Sequence, residues 1–162
     1  MIRIRRAGDL DARNMADLLN RIIARGGATA FTEPVSRDTL MAWFRKAPDQ
    51  SVWHIAEDDV GALLGFQSVE PHPGLPPDAC DIATFVRIGQ TGLGVGSRLF
   101  ETTVEAARNL GYRWINATIR ADNSGGLTYY QSRGFETYAH HPEVRLANGQ
   151  IVDRISKRFD LT

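Results

Sequence analysis

Hydrophobic and polar positions follow two different periods along the first third of the chain. Ile2 and Ile4 alternate with arginines, which predicts a short half-buried strand. After Asp9 the apolar positions recur at helical spacing, and Gly26-Gly27 ends that helix. Ser36 is placed to cap a second helix that ends before Pro48. The apolar positions of these two helices are Met15, Leu18, Leu19, Ile22 and Ile23, and then Leu40, Trp43 and Phe44.

The remaining two thirds predict strands and helices in near alternation. Six strands are predicted by β-rich runs and two helices by apolar residues at helical spacing, with Asn148-Gly149 as the last turn. The predicted order is β-α-α-β-β-β-α-β-α-β-β, an α/β (α+β mixed) fold with helices on both faces of one sheet. The strands span residues 52–57, 62–69, 81–87, 114–119, 135–139 and 151–159, and the helices span 96–110 and 124–133.

Composition limits the possible class of protein. The 162 residues include 43% apolar residues, 19 Lys+Arg and 19 Asp+Glu, which suits one domain over residues 1–162. Zero formal charge provides no basic field for nucleic acid or an anionic membrane. No run approaches the roughly twenty apolar residues of a membrane span. The single cysteine, Cys80, favours a reducing compartment, so we expect a cytoplasmic protein.

A glycine-rich segment, GQTGLGVGSRL at residues 89–99, carries the most chemical information. Gly92, Gly94 and Gly96 alternate between a predicted strand and a predicted helix. Such a junction leaves backbone N–H groups free at the positive end of the helix, and glycine lets a ligand approach the backbone closely. Phosphate groups are the natural ligands of this arrangement.

Three phosphate ligands compete for this segment. A nucleoside triphosphate loop requires lysine after the last glycine, whereas Gly96 is followed by Ser97 and Arg98. A dinucleotide fingerprint requires G-x-G-x-x-G and an acidic residue at the end of the next strand. Here the spacing is G-x-G-x-G and strand 114–119 ends without an acid. The pyrophosphate of a different carrier remains.

The segment resembles the loop of the GNAT superfamily of N-acetyltransferases, which reads Arg/Gln-x-x-Gly-x-Gly/Ala, with Thr91 in place of Arg or Gln. Residues 121–136, ADNSGGLTYYQSRGFE, are similar to a second family segment through Asn123, Tyr130, Gly134 and Phe135. Residues 19–34 and Asp81, which stands where a Glu is usual, resemble the phosphinothricin and amino-acid N-acetyltransferase branch.

The resemblance implies a mostly antiparallel twisted sheet of about seven strands that binds acetyl-CoA as co-substrate, without a metal. It implies direct acetyl transfer, in a ternary complex, to the primary amine of a small, amino-acid-like molecule. A homodimer is the family expectation. The residues expected to bind the cofactor are the backbone of Thr84, Phe85 and Val86, the turn Gly92, Leu93, Gly94, Val95, Gly96 and Ser97, and Asn123 and Tyr130.

Two side chains are expected to carry the proton transfers. Asp81 is a candidate general base, although a free Asp has a pKa of about 3.9 and needs burial to raise it; a carboxylate that caps a turn or pairs with an arginine is the alternative. Tyr130 matches the family pattern for the acid that reprotonates the thiolate, whereas Tyr129 is expected to face away, so that Tyr129→Phe is nearly silent. Cys80 is interpreted as a buried small hydrophobe, because neighbouring strand residues face opposite sides.

The acceptor is less well defined by the sequence. Phe31 and Thr32, in the irregular segment ATAFTEP, are expected to line its pocket. The loop EPHPGLPPDA contains no lysine or arginine to bind a substrate carboxylate, so the pocket either prefers an amine without one or recruits Arg87 or Arg120. Asn123 has helix capping as its alternative role. A non-catalytic CoA-binding or regulatory module, an acetyltransferase of peptides or polyamines, and a dinucleotide oxidoreductase remain alternative functions.

Overall fold

Seven strands form one sheet in the computed structural model, which describes residues 1–161. The strands are β1 (Arg3–Arg6), β2 (Val52–Glu57), β3 (Leu63–Glu70), β4 (Ala79–Val86), β5 (Trp114–Arg120), β6 (Glu136–Arg145) and β7 (Ile151–Asp160). The helices are α1 (Ala12–Arg25), α2 (Arg37–Lys46), α3 (Val95–Asn109) and α4 (Ser124–Ser132). Within the described residues none of these helices is long and apolar enough to cross a membrane.

The strand order in the sheet is β1-β2-β3-β4-β5-β7-β6. The pairing of β4 with β5 is parallel, and the other five neighbouring pairs are antiparallel. A doubly wound dinucleotide-binding sheet is mostly parallel, so this topology is wrong for a dinucleotide fold. The predicted mixed sheet is confirmed, and so is the predicted sequence of elements.

Helices cover both faces of the sheet. One apolar cluster joins α1 and α2 to side chains that include Trp53, Phe66 and Phe85. A second cluster joins α3 and α4 to the opposite face and contains Cys80 and Ile82. Strand side chains alternate between faces, so β4 contributes Phe85 to one cluster and Cys80 and Ile82 to the other. Cys80 is fully buried there, as predicted.

The two parallel strands β4 and β5 stay together for only part of their length. Their paired residues end with Asp81 opposite Asn116. Beyond that point β4 continues to pair with β3 as far as Val86, and β5 continues to pair with β7 as far as Arg120. The facing edges of β4 and β5 therefore separate beyond Asp81, and the backbone of the last five residues of β4 has no partner strand on that side within residues 1–161.

Local signals in the sequence account for most helix ends, whereas the length of β6 departs from the prediction. The Ser36 hydroxyl accepts the N–H of Thr39 and caps α2, as predicted. Strand β6 was expected to end at Ala139 but reaches Arg145 and passes through Pro142. The reason is that β6 is the edge of the sheet, where a proline costs no hydrogen bond on the open side. Its register shifts between His141 and Val144 take up the irregularity.

Candidate active site

A cavity of about 360 Å³ opens on the α1/α2 side of the sheet, where β4 and β5 begin to separate. Its polar residues come from β4, β5, β6 and β7 and from the loop after β3. Because paired residues on neighbouring strands point to the same face, Asp81, Asn116, Thr118 and Ser156 lie in one polar surface. The lining residues are His72, Gly74, Leu75, Asp81, Asn116, Thr118, Tyr138, His141, Val144, Arg154 and Ser156.

The Asp81 carboxylate is held in this cavity by one amide. The Asn116 Nδ2 donates to Asp81 Oδ1 at 2.9 Å, and the Tyr138 hydroxyl donates to the Asn116 Oδ1 and fixes the amide orientation. Burial raises the pKa of Asp81 above its usual range, and the hydrogen bond from Asn116 opposes that rise. Asp81 has no arginine ion-pair partner among residues 1–161, so the alternative role in an arginine pair is not observed.

A second carboxyl group, which the sequence analysis missed, lies beside Asp81. Glu70, at the end of β3, is directly opposite Asp81 in the antiparallel register. Burial raises the pKa of Glu70, and the negative charge of Asp81 raises it further. Two carboxylates on facing strand positions ionise less readily than one. The signal for Glu70 was available only from strand pairing, because eleven positions separate the two residues along the chain.

The Tyr130 hydroxyl lies on the opposite side of β4 from Asp81. It is hydrogen bonded to Thr84 Oγ1 at 2.8 Å, and Thr84 is three residues along the strand from Asp81. The Gln67 amide donates to the same Thr84 oxygen at 2.8 Å. Burial raises the pKa of Tyr130, and the charge of Asp81 adds to this rise. The hydroxyl therefore keeps its proton at neutral pH and is available as a proton donor.

Tyr129 does not face away from this region, so the expectation for it was wrong. Its hydroxyl donates to the carbonyl oxygen of Gly96 at 2.7 Å and accepts from the Gln67 amide at 3.1 Å. The rings of Tyr129 and Tyr130 are in edge contact, with centroids 4.9 Å apart. Adjacent residues of a helix differ in direction by only about 100°, so both side chains can reach the β4 side of α4. Tyr129 thus ties α4 to the start of α3.

The glycine-rich turn has the backbone conformation that its sequence predicts. Gly92 and Gly94 have φ angles of 82° and 89°, and Gly94 is the N-cap of α3. A Cβ built on either residue meets no atom within 4 Å, so the space over the turn is open to a ligand. Gly96 is required for another reason, because its Cβ would lie 2.6 Å from the ring of Tyr129. The turn therefore combines an open surface with a fixed helix start.

The first turn of α3 also receives a cation from α4. The Arg133 guanidinium donates to the Ser97 hydroxyl at 2.6 Å. The backbone N–H groups of Val95, Gly96 and Ser97 occupy the first helical positions, which have no acceptor within a helix. Leu93 is exposed in the turn, whereas the Val95 side chain is buried against Leu99. Val95 can therefore contact a ligand here only through its backbone atoms.

The shape of this region fits a pyrophosphate joined to an extended amide-containing chain. The open turn at the positive end of α3 suits the pyrophosphate. The separated edge of β4, which includes Thr84, Phe85 and Val86, presents backbone groups that can pair with amides as another strand would. Asn123 acts as the helix cap, with its Oδ1 accepting the Gly126 N–H at 3.0 Å. Its Nδ2 donates to Ala28, so capping is the role seen for this residue.

The residues suggested for the acceptor are placed differently from expectation. Phe31 and Thr32 are not among the residues that line the cavity, and the Phe31 ring stacks on Trp43 at 5.4 Å. Their contact with an acceptor stays a prediction. Neither Arg87 nor Arg120 lines the cavity, and their recruitment by a substrate carboxylate stays a prediction. Arg87 donates to the Leu63 carbonyl, and Arg120 makes an ion pair with Asp122 at 2.8 Å. The arginine that lines the cavity is Arg154.

An open, mostly antiparallel sheet that splits between two parallel strands beside a glycine-rich helix start defines a class of acyl-transferring proteins. Residues 17–135 match the sequence model of the Acetyltransferase (GNAT) family. This match spans well over half of the chain, so the chain belongs to the GNAT family and is an N-acetyltransferase.

Individual relatives match along nearly the whole length. The L-methionine sulfoximine/L-methionine sulfone acetyltransferase of Pseudomonas aeruginosa is 27% identical, with 98% of this chain and 94% of that protein covered. The L-amino acid N-acyltransferase MnaT of Escherichia coli is 24% identical, with 93% and 88% covered. A crystal structure of a GNAT superfamily phosphinothricin acetyltransferase from Sinorhizobium meliloti, in complex with AcCoA, is similar with a TM-score of 0.87. It is 18% identical, over 98% of this chain and 88% of that chain.

Proposed function

We propose that this enzyme transfers the acetyl group of acetyl-CoA to the primary amine of a small, amino-acid-like molecule, by direct attack within a ternary complex. The observation that carries the proposal is the separation of β4 from β5 beyond Asp81. It opens a slot through the sheet, with the Asp81 carboxyl group on one side and the Tyr130 hydroxyl on the other. Two reactants that enter from opposite faces would meet in this slot.

Acetyl-CoA suits the cofactor side of the slot, and when bound it supplies an acyl group activated as a thioester. The free N–H groups of residues 92–97 would bind its pyrophosphate, and the open backbone of Thr84, Phe85 and Val86 would pair with its pantetheine arm. Thr91 removes one side-chain donor that the family usually has. The Arg133 guanidinium at Ser97 provides positive charge at the same helix turn.

Asp81 would accept the proton of the incoming amine, directly or through water. A base works best when its pKa lies near the working pH, and burial moves the pKa of Asp81 in that direction. Glu70 lies opposite Asp81, and the negative charge of Asp81 raises the pKa of Glu70. No metal is needed for this step, because the attacking group is itself a nucleophile once it has lost its proton.

Tyr130 would donate a proton to the departing thiolate, whose free pKa is about 8.5. Gln67 donates to Thr84 Oγ1, which leaves the Thr84 hydrogen free to point at the Tyr130 oxygen. In that arrangement the Tyr130 hydrogen is directed away from Thr84 and toward the slot. Thr84 would therefore orient the acid in addition to its backbone contact.

An amino-acid-like acceptor is supported by the relatives, which are named as acetyltransferases of L-methionine sulfoximine and L-methionine sulfone and as an acyltransferase of L-amino acids. Phe31 and Thr32, in the connection between α1 and α2, would line the acceptor side. We further propose a cytoplasmic homodimer in which residues 1–162 form one N-acetyltransferase domain. Peptides and polyamines are the competing acceptors.

The test of this proposal is release of free thiol from acetyl-CoA with a panel of amino acids, amino-acid analogues, polyamines and peptides. Steady transfer to amino acids or their analogues is expected. Binding of acetyl-CoA with no transfer to any amine would instead favour a CoA-binding regulatory module. A thermal shift with NADP and none with acetyl-CoA would contradict the proposal altogether.

A further inference from the structure

Arg154 is a half-buried cation that lines the cavity, and its side chain makes no hydrogen bond or ion pair within residues 1–161. It lies on β7, where its neighbours across the sheet are Arg120 on β5 and His141 on β6. Its Nε is buried and has no hydrogen-bond partner among residues 1–161. A buried guanidinium nitrogen without an acceptor costs free energy, which a bound ligand, ion or water that supplies an acceptor would recover.

Other polar groups of the cavity already have partners. The His72 Nδ1 accepts the N–H of Gly74 at 2.9 Å, and the His141 Nε2 is hydrogen bonded to Ser156 at 2.8 Å. Lys157, the next cation along β7 after Arg154, lies on the other face of the sheet and donates to the Thr137 hydroxyl. Arg154 is therefore the side chain with unused donors directed at the cavity.

The position of Arg154 relative to Asp81 follows from the strand register. Asp81 pairs with Asn116, and Arg154 pairs with Arg120, four residues further along β5. Four residues and two strand spacings place the two backbones roughly 16 Å apart. No ion pair joins the two side chains, although the charge of Asp81 raises the pKa of Arg154 against the lowering caused by burial. They therefore flank the cavity as two opposite charges with space between them.

We infer that Arg154 binds the carboxylate of the acceptor, so that the substrates of this enzyme are free amino acids and their analogues rather than amines that lack an anionic group. This inference rests on the proposed function. An α-amino acid has an amino group and a carboxylate on one carbon, so it carries one group for each of these two charges. Its nitrogen faces Asp81, and its carboxylate receives the guanidinium fork of Arg154.

The inference is tested with three acceptors that share one side chain: an amino acid, its carboxamide and its decarboxylated amine. Transfer rates at varied acceptor concentration are measured for the wild type and for Arg154→Gln. The Gln variant is expected to raise KM for the amino acid by roughly 10- to 100-fold, with kcat and the KM for acetyl-CoA nearly unchanged. Its kcat/KM for the other two amines is expected to change little.

The comparison is designed so that intrinsic reactivity of the amines cancels. Each amine is assayed with both enzymes, and the quantity compared is the ratio of kcat/KM for the amino acid to kcat/KM for its carboxamide. Arg154→Lys keeps the charge but not the fork and is expected to fall between the other two enzymes. Arg145→Gln, on the exposed end of β6, is the matched control and is expected to leave all three acceptors unaffected.

Loss of structure is separated from loss of binding by the melting temperature and by acetyl-CoA affinity, both expected to be retained in Arg154→Gln. If the ratio of kcat/KM for the amino acid to kcat/KM for the carboxamide is the same in that variant as in the wild type, the inference is overturned. A wild type that acetylates polyamines or carboxamides as well as amino acids would overturn it too, and that result would leave the acetyl transfer itself intact. A wild type that acetylates no amine would contradict the proposed function instead.

Discussion

At the scale of single residues, the proposed base and the proposed acid have environments that suit their opposite roles in proton transfer. Asp81 sits in a polar cavity with one hydrogen-bond donor, and Tyr130 is buried among aromatic rings with Thr84 as its partner. Burial disfavours the charged form of each group, which raises the pKa of both. The pKa of the carboxyl group thereby moves closer to neutral pH, whereas the phenol holds its proton more firmly.

Replacing Tyr130 by Phe is expected to keep acetyl-CoA binding and to lower kcat by roughly 10²- to 10⁴-fold, the range typical of a lost general acid. The ring contacts with Phe135 and Tyr129 remain, so the melting temperature changes little. The measurement is kcat under conditions where chemistry limits the rate. Wild-type turnover in this variant would refute the role of Tyr130 as acid.

Tyr129→Phe provides the contrast, although it is not the silent control that the sequence suggested. It loses the hydrogen bond to the Gly96 carbonyl at the start of α3. The expected result is a lower melting temperature and a higher KM for acetyl-CoA, with kcat at saturation close to the wild type. A loss of kcat as large as that of Tyr130→Phe would mean that the acid had been assigned to the wrong tyrosine.

Asp81→Asn is expected to lose turnover most at low pH, where the amine is protonated, and to recover partly as the pH rises and solvent supplies free amine. The amide oxygen of the new side chain can still accept the hydrogen bond from Asn116 Nδ2, so packing is preserved. The measurement is the pH profile of kcat/KM for both enzymes. A deficit that is independent of pH would assign Asp81 a structural role only.

The same variant makes a prediction about stability. Because burial raises the pKa of Asp81 in the folded state, the folded protein binds more protons than the unfolded chain above the ordinary value of 3.8. Ionisation of Asp81 therefore costs stability as the pH rises through the folded-state pKa. Asp81→Asn is expected to melt at the same temperature as the wild type in acid and at a higher one at neutral pH. A lower melting temperature at neutral pH would contradict this account.

At the scale of elements, the turn before α3 shows how one short segment meets two separate requirements. Gly92 and Gly94 provide left-handed backbone and an open surface, whereas Gly96 makes room for the Tyr129 ring. All three are glycine for reasons that the spacing alone does not distinguish. Asn123 is similar, since its side chain caps α4 and also reaches the Ala28 carbonyl of the α1–α2 connection.

Gly94→Asp is expected to abolish acetyl-CoA binding without unfolding the protein. Aspartate tolerates a left-handed φ better than most residues, and its Cβ meets no atom within 4 Å. Its charge would lie at the helix start and repel a pyrophosphate. Gly94→Asn, which adds the same bulk without charge, is the matched control and is expected to retain weaker binding. Calorimetry that finds wild-type affinity for Gly94→Asp would contradict the phosphate site.

At the scale of the whole molecule, ion pairs add to the backbone pairing and the apolar contacts that hold the first strand to the sheet. Glu57 on β2 accepts from Arg3 at 2.9 Å and from Arg5 at 3.2 Å on β1. These two cations lower the pKa of Glu57 below its usual value of 4.5. A carboxylate with a lowered folded-state pKa stabilises the fold above the unfolded value, and this stabilisation is lost as the pH falls through the folded-state pKa.

Glu57→Gln is therefore expected to be less stable than the wild type at neutral pH and to approach it in acid. Urea unfolding midpoints at a series of pH values measure this difference. Glu101→Gln, which changes an exposed carboxylate on α3, is expected to follow the wild type throughout. Parallel curves for Glu57→Gln and wild type would show that the ion pairs of β1 contribute nothing measurable.

The order and type of the elements, the capping role of Ser36 and the left-handed glycine turn could all be predicted from the chain. These features depend on local periodicity, on backbone conformations that few residues adopt, and on motifs within short segments. What the sequence left open was the direction and the neighbours of side chains. The extension of β6 through Pro142 could not be predicted either, because it depends on β6 being an edge strand of the sheet.

Only the tertiary structure decided which side chains lie together. Glu70 lies opposite Asp81 through strand register, Tyr129 contacts Tyr130 on α4, and Arg154, rather than Arg87 or Arg120, lines the cavity. The separation of β4 from β5 after Asp81 depends on where two parallel strands stop pairing, across more than thirty intervening residues. Contacts of this kind arise from long-range packing of a sheet between two layers of helices, and no local pattern in the chain encodes them.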